Sequence, residues 1–230
     1  MTAFHPRGVN HLAISTTDMK GQLAFWCDVL GLPLKALYWM HGVEGALHGF
    51  VELSPESYIA FVQHPDNTDE VEFGTSHANG GGGGSRGGTM QHFALHVDTF
   101  DQVLAMRDRL RSRGVQVLGP IDHGFVQSMY FEGPEGLNLE VCCGSDIDDR
   151  AWVDPEVVEL CGIDADELEA MRRPADYERP AEPVAQPTTA HPTNVRARRD
   201  PDGYARLAAV PDELVWIHGS ETTPPVKLED

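Results

Sequence analysis

A short strand-like motif occurs twice in this chain, roughly 80 residues apart, and that repetition narrows the folds open to it. Asn10-His11-Leu12-Ala13-Ile14 is matched by Gln91-His92-Phe93-Ala94-Leu95, and each copy runs on into a helical stripe. In the first copy Thr17-Asp18 opens a helix with apolar positions Leu23, Phe25, Trp26, Val29 and Leu30, closed by Gly31 ahead of Pro33. In the second, Asp98 or Asp101 answers to Asp18, and the helix runs from about Phe100 to Arg113 on Val103, Leu104, Met106 and Leu110. Three short strands follow each helix. They fall at about Leu34 to Trp39, Ala46 to Leu53 and Ser57 to His64 in the first copy, and at Val115 to Leu118, Phe125 to Phe131 and Leu137 to Cys142 in the second. The order βαβββ thus occurs twice. A unit that small cannot bury one face of its sheet alone, so the two are expected to pair into one structure.

Strand side chains alternate between faces. Leu12 and Ile14 take one face of the first strand, and His11, Ala13 and Ser15 the other. In the last strand Leu137, Leu139 and Val141 share a face, which leaves Asn138 and Glu140 opposite; the preceding Gly133-Pro134-Glu135-Gly136 is dense turn chemistry. Taken singly, Glu140 reads as a solvated strand residue and each histidine as a hydrogen-bonded group in a sheet. Together they read differently. His11, His92 and Glu140 all project from the face opposite their strand's apolar residues, so a curved sheet made by both repeats would gather them in one concavity. Two imidazoles and a carboxylate are a ligand set for Fe(II), Mn(II) or a related ion, with positions left for substrate or oxygen.

The two modules, about 8–64 and 89–143, are joined through a Gly-rich connector, 74–88. This stretch has no lysine and is followed by a strand, so it reads as a flexible connector or lid and not as a phosphate cradle. Residues 1–145 are expected to form the principal domain. Residues 146–230 form an acidic, Pro-containing extension with short helices opened at Asp154-Pro155 and at Asp164. The net charge of −19 argues against nucleic acid and anionic membrane surfaces as partners, and no apolar run is long enough to span a bilayer. Cys27, Cys142, Cys143 and Cys161 form no C-x-x-C pair, and the N-terminus lacks the charged-then-apolar pattern of a secretion signal, so a reducing cytoplasm is expected.

The paired βαβββ units, the H-x-A strand starts and the P-x-G-x-x-x-E ending resemble the vicinal oxygen chelate superfamily of glyoxalases, epimerases, resistance proteins and extradiol dioxygenases. The resemblance covers residues 8–145. It implies an α+β fold of two paired βαβββ modules in an open, curved mixed sheet, a half-barrel cup in which a metal chelates a substrate through two oxygens. The pattern Y-x-x-x-P-x-G-x-x-x-E, from Tyr130 to Glu140, is most similar to single-domain extradiol ring-cleaving dioxygenases. By that resemblance His11, His92 and Glu140 hold Fe(II), or Mn(II), and a catechol-like diol is cleaved with O2. Tyr130 hydrogen-bonds the substrate, and His64 is the acid/base, a role suited to a group titrating near neutrality.

His77 and His123 are rivals of His64; His123 stands seven residues before Tyr130 where the family has a histidine nine before, and here that place is Ile121. Trp39, Phe61 and Phe125 are expected to line the cavity. Glyoxalases and epimerases add a Glu or Gln on the last strand of the first repeat. Simple register puts Ala60 or Phe61 there, so a three-ligand site is expected. An epimerase or lyase reading would need Gln63, Glu44 or Glu52 to face the metal, and a binding or resistance protein would keep the cup without a redox metal. Paired modules of this kind imply a homodimer with the extension at its interface, acting on a small molecule.

Overall fold

Both repeats take the βαβββ order. Strand β1 (His11–Ser15) leads into α1 (Met19–Ala24), whose end widens through Phe25–Val29, and then to β2 (Leu34–Trp39), β3 (Leu47–Ser54) and β4 (Ser57–Gln63). The second repeat is β5 (Phe93–His96), α2 (Phe100–Ser112), β6 (Leu118–Asp122), β7 (Gln127–Glu132) and β8 (Asn138–Cys143). Asp18 caps α1 by accepting a hydrogen bond from the Gly21 amide. On α2 the cap is Thr99, in a reciprocal box with Gln102, and neither Asp98 nor Asp101. The strand expected from Val115 starts later, at Leu118, because the Val115 amide still closes the helix onto the Leu110 carbonyl, past Gly114 at φ 81°.

In each repeat the first strand pairs in parallel with the fourth, which pairs antiparallel with the third, giving the orders β1-β4-β3-β2 and β5-β8-β7-β6. The architecture is the expected α+β one, two paired βαβββ modules whose open mixed sheets have four strands each. The computed structural model describes residues 6–144, 146–188, 190–191 and 200–228.

The apolar faces of both sheets and of α1 and α2 share one core, in which Met19, Trp26, Ile59 and Phe61 join Leu95, Leu110, Met129 and Val141. Polar ties join the two repeats at its exposed edge. The Arg109 guanidinium donates to the Asp28 and Val29 carbonyls at 2.8 and 2.7 Å, and Arg113 pairs with Asp28 at 2.7 Å. Helices α3 (Asp149–Trp152), α4 (Pro155–Leu160) and α5 (Ala165–Arg172) belong to the same compact unit, Pro6–Arg173. Trp152 stacks edge-on against Phe125 at 4.8 Å, and Arg172 pairs with Asp149 at 3.2 Å. Asp154 and Asp164 cap α4 and α5. The second unit begins at Pro174 and contains, among the described residues, α6 (Pro201–Ala208) and α7 (Asp212–Gly219). No helix among the described residues is long and apolar enough to cross a membrane.

The turn between β7 and β8 clasps the first repeat. Glu135, at φ 55°, accepts from the Thr17 amide at 2.7 Å, the Thr17 hydroxyl at 2.8 Å and the Gln22 side chain at 2.7 Å. Burial acts to raise its carboxyl, but hydrogen bonds from Thr16, Thr17 and Gln22 outweigh burial and hold it below its ordinary value of 4.5. A depressed carboxyl contributes stability that is present above the unfolded value and lost as pH falls through the folded one. Urea midpoints measured from about pH 6 down to about pH 3 should therefore fall with acid, and Glu135→Gln should flatten part of that slope. An unchanged slope in the variant would show that the clasp is not a charged one.

Candidate functional site

The centre of the second sheet is β8, flanked by β5 and β7, and its register sets Ala94, Glu140 and Tyr130 side by side across three strands. Glu140 keeps the face opposite the core but is only 4% exposed, because β8 is covered on both sides. A carboxylate so placed needs a partner. It has one in His92, at the approach to β5, whose Nε2 lies 3.0 Å from Glu140 Oε2. The Tyr130 ring stands edge-on to His92 with centroids 5.9 Å apart. Its hydroxyl lies 3.0 Å from His123 Nε2, on the β6–β7 hairpin. Burial, and then the neighbouring Glu140 carboxylate, push the Tyr130 phenol up, which keeps it a proton donor at neutral pH. His92, Glu140, Tyr130 and His123 thus form one polar group on a single sheet.

The first sheet repeats the geometry without the carboxylate. His11 lies opposite Tyr58, and Ala13 pairs with Ala60 as Ala94 pairs with Glu140, so Ala60 occupies the place equivalent to Glu140. Phe61 falls on the other face. It is fully buried in the core against Trp26, ring centroids 5.7 Å apart, which corrects the expectation that it lines the cavity: it shares the parity of Ile59, not of Ala60. Gln63 Oε1 accepts from the Met19 amide at 2.8 Å, Glu52 pairs with Lys35 at 2.8 Å, and Glu44 is exposed in the β2–β3 turn.

His11 is exposed, with Nδ1 2.8 Å from Asn10 Oδ1 and its ring edge-on to Phe50 at 5.8 Å. Among the described residues no three His, Cys, Asp or Glu side chains are grouped to hold a metal ion. Among the described residues each sheet turns its apolar face to the common core and its histidine face away from it, and His11 is not grouped with His92 and Glu140. His92 and Glu140 have the donor chemistry that Fe(II) or Mn(II) takes.

The other expected residues are elsewhere. His64, half-buried at the end of β4, accepts from the Asp66 amide at Nδ1, 3.1 Å, and lies 3.7 Å from the Asp66 carboxylate. His77, in the connector, has Nδ1 2.9 Å from Ser76 Oγ and lines a cavity of about 360 Å³ with Gln22, Asp69, Glu135 and Leu137. Trp39 is 68% exposed, and Phe125 is taken up by Trp152. The sequence reading missed Tyr38 and Phe50, which share the His11 face with His48, a residue the sequence leaves as a surface, turn or pocket-lining group; period-two parity along β2 and β3 was the signal for them.

The sequence profile of the Glyoxalase/Bleomycin resistance protein/Dioxygenase superfamily matches residues 8–141. Over 136 residues the chain is 29% identical to a probable lactoylglutathione lyase of Synechocystis sp., an alignment covering 57% of this chain and 91% of that protein. Over 132 residues it is 25% identical to biphenyl-2,3-diol 1,2-dioxygenase 2 of Rhodococcus globerulus, covering 57% of this chain but only 60% of the dioxygenase. A crystal structure of a glyoxylase/bleomycin resistance protein/dioxygenase domain from Frankia sp. has a TM-score of 0.50 at 13% identity, covering 61% of this chain and 100% of that one, a likeness of fold.

Proposed function

Because the chain belongs to the glyoxalase/bleomycin resistance protein/dioxygenase superfamily, we propose that it is an extradiol-type dioxygenase, cleaving a catechol-like diol with O2 at a metal site shared by two copies of the chain. The observation that carries this reading is the register that gives Ala60 the place of Glu140, so that three donors and not four are available. His92 and Glu140 of one copy and His11 of a second would hold Fe(II), a set that Mn(II) also accepts. The ion, when bound, supplies a Lewis acid that chelates the diol and brings O2 beside it.

The chain's own groups do the rest. The Tyr130 oxygen accepts a hydrogen bond from a substrate hydroxyl while its own O–H donates to His123 Nε2 across their 3.0 Å contact. His123 is also within reach to take a proton at Nε2 by way of Tyr130, which makes it a stronger acid/base candidate than His64, whose Nδ1 is engaged by Asp66. The four unpaired cysteines suit work in a reducing cytoplasm. A lyase reading is favoured by one observation, the near-complete coverage of the lyase relative. It would need a further acid or amide at the metal, and Glu52, which shares the His11 face, is the group for it.

Protein purified without air should hold stoichiometric iron and take up oxygen with a panel of catechols and hydroquinones, and His92→Ala should lose both. Zinc, nickel or cobalt with no oxygen uptake would replace this reading by the lyase. Sharing has its own test. His11→Ala and Glu140→Ala should each be inactive alone, and chains of the two kinds refolded together should recover about a quarter of native activity, since a mixed pair keeps one whole site. A mixture that stays inactive rules out a site shared in this way.

A further inference from the structure

The face of the first sheet that carries His11 is lined with rings. Phe50 is their hub: Tyr38 stacks parallel to it at 6.3 Å and 6°, His48 lies 4.5 Å away, and His11 and Tyr58 meet it edge-on at 5.8 and 6.4 Å. All lie opposite the core by strand parity, and Tyr38, His48, Phe50 and Tyr58 are part-exposed. By register Phe50 stands across from Ala60 as Tyr130 stands across from Glu140. The two sheets therefore carry different chemistry at equivalent places, hydroxyl and carboxylate on one, phenyl and methyl on the other.

His48 is the exception in this apolar setting. The Tyr38 hydroxyl lies 3.3 Å from its Nδ1, while its Nε2 is shut off from water with no hydrogen-bond partner among the described residues. A phenol is a better donor than acceptor towards an imidazole, which leaves the proton on Nε2. Burial, and then His11 and His41, lower the pKa of His48 and keep the ring neutral. A buried donor without an acceptor is costly, and a turn of the part-exposed His48 ring that brings Nε2 to the surface of this face would let a ligand oxygen relieve it.

We propose that this face is the wall on which the planar ring of the substrate lies, with Phe50 as its stacking surface and His48 Nε2 donating to an acceptor oxygen, such as a ketone, carried by the ring away from the diol. The diol part of that substrate rests on the dioxygenase reading above; recognition of the ring and its remote oxygen rests on this face alone.

The test is equilibrium binding of 4-acetylcatechol and 4-ethylcatechol, alike in size, to the full chain held without air. It is run both as purified and after metal removal by a chelator. The acetyl compound should bind tighter by about three- to tenfold, the worth of one hydrogen bond. His48→Phe should abolish that ratio, His48→Gln, which keeps a donor, should retain part of it, and Phe50→Leu should weaken both probes. Comparing the ratio between native protein and variant cancels the different acidities of the two diols. Equal affinities in the native chain, or an unchanged ratio in His48→Phe, would overturn the proposal, and the comparison in the metal-free native chain, where no metal rewards the more acidic diol, decides even where a variant fails to fold. A preference that persists in the metal-free chain sustains the wall whether or not iron and oxygen uptake are found. A preference that is absent while both are present overturns the wall alone.

Discussion

Glu140→Gln should strip the protein of its metal, with affinity down by at least about 100-fold, and should leave the fold in place. Removing a group that merely orients a ligand costs a metal site about 10- to 100-fold, and Glu140 is assigned here as a ligand itself. The amide is nearly isosteric and can still hydrogen-bond His92 across the present 3.0 Å, so β8 keeps its place between β5 and β7. Metal content after dialysis reads the first effect and thermal melting the second. A third readout needs no metal. The Glu140 carboxylate is one of the groups that raise the Tyr130 phenol, so its neutralisation should bring the Tyr130 titration down towards its ordinary value, with burial still holding it above. Ultraviolet titration of native and variant chains reads that shift. A variant with full metal content would remove Glu140 from the ligand set; unchanged metal with a shifted phenol would leave it as a partner of His92 and Tyr130 alone.

The parts of this site legible in the sequence are those that a strand's period of two decides. His11 and Glu140 keep the face that alternation assigns them, and the repeat relates His92 to His11. What alternation cannot give is register between strands. Ala60 and Phe61 stood as alternatives for the place of Glu140, and only the pairing of β1 with β4 separates them, sending Ala60 to the histidine face and Phe61 to the core. Nor does it say how two sheets share their apolar faces. Two half-buried sheets satisfy the same pattern whether their polar faces meet in one chain or await a second, and the common core excludes a three-ligand group among the described residues of one copy. Hairpin geometry was equally hidden. His123 reaches Tyr130 because the β6–β7 turn folds it back, although its spacing of seven departs from the family's nine. The helix cap on α2 passed from aspartate to Thr99 for a local reason, since only Thr99 with Gln102 satisfies the amides at both ends of the box.

Trp26→Ala should be the most destabilising single change in the principal unit, costing about 3 to 5 kcal/mol, the range for truncating a large core aromatic. Trp26 is 0% exposed and lies where the two repeats meet through their helices, its ring against Phe61 at 5.7 Å. Its indole N–H donates to Gln22 Oε1 at 3.1 Å, and Gln22 in turn donates to Glu135 on the β7–β8 turn at 2.7 Å. Truncation therefore opens a cavity, leaves a fully buried amide oxygen unpaired and loosens the clasp of the second repeat on the first. For a chain of this size each kcal/mol is worth about 2–4 °C in Tm, so the melting point should fall by roughly 10 °C or more. Trp26→Phe separates the contributions: it keeps most of the packing and loses the donor, and should cost about 1–3 kcal/mol. Trp39, 68% exposed, serves as the control, and Trp39→Ala should stay within about 0.5 kcal/mol. If Trp26→Ala melted within a degree or two of the native chain, the helices would not be what joins the repeats, and the outward placing of the two histidine faces would lose its physical basis.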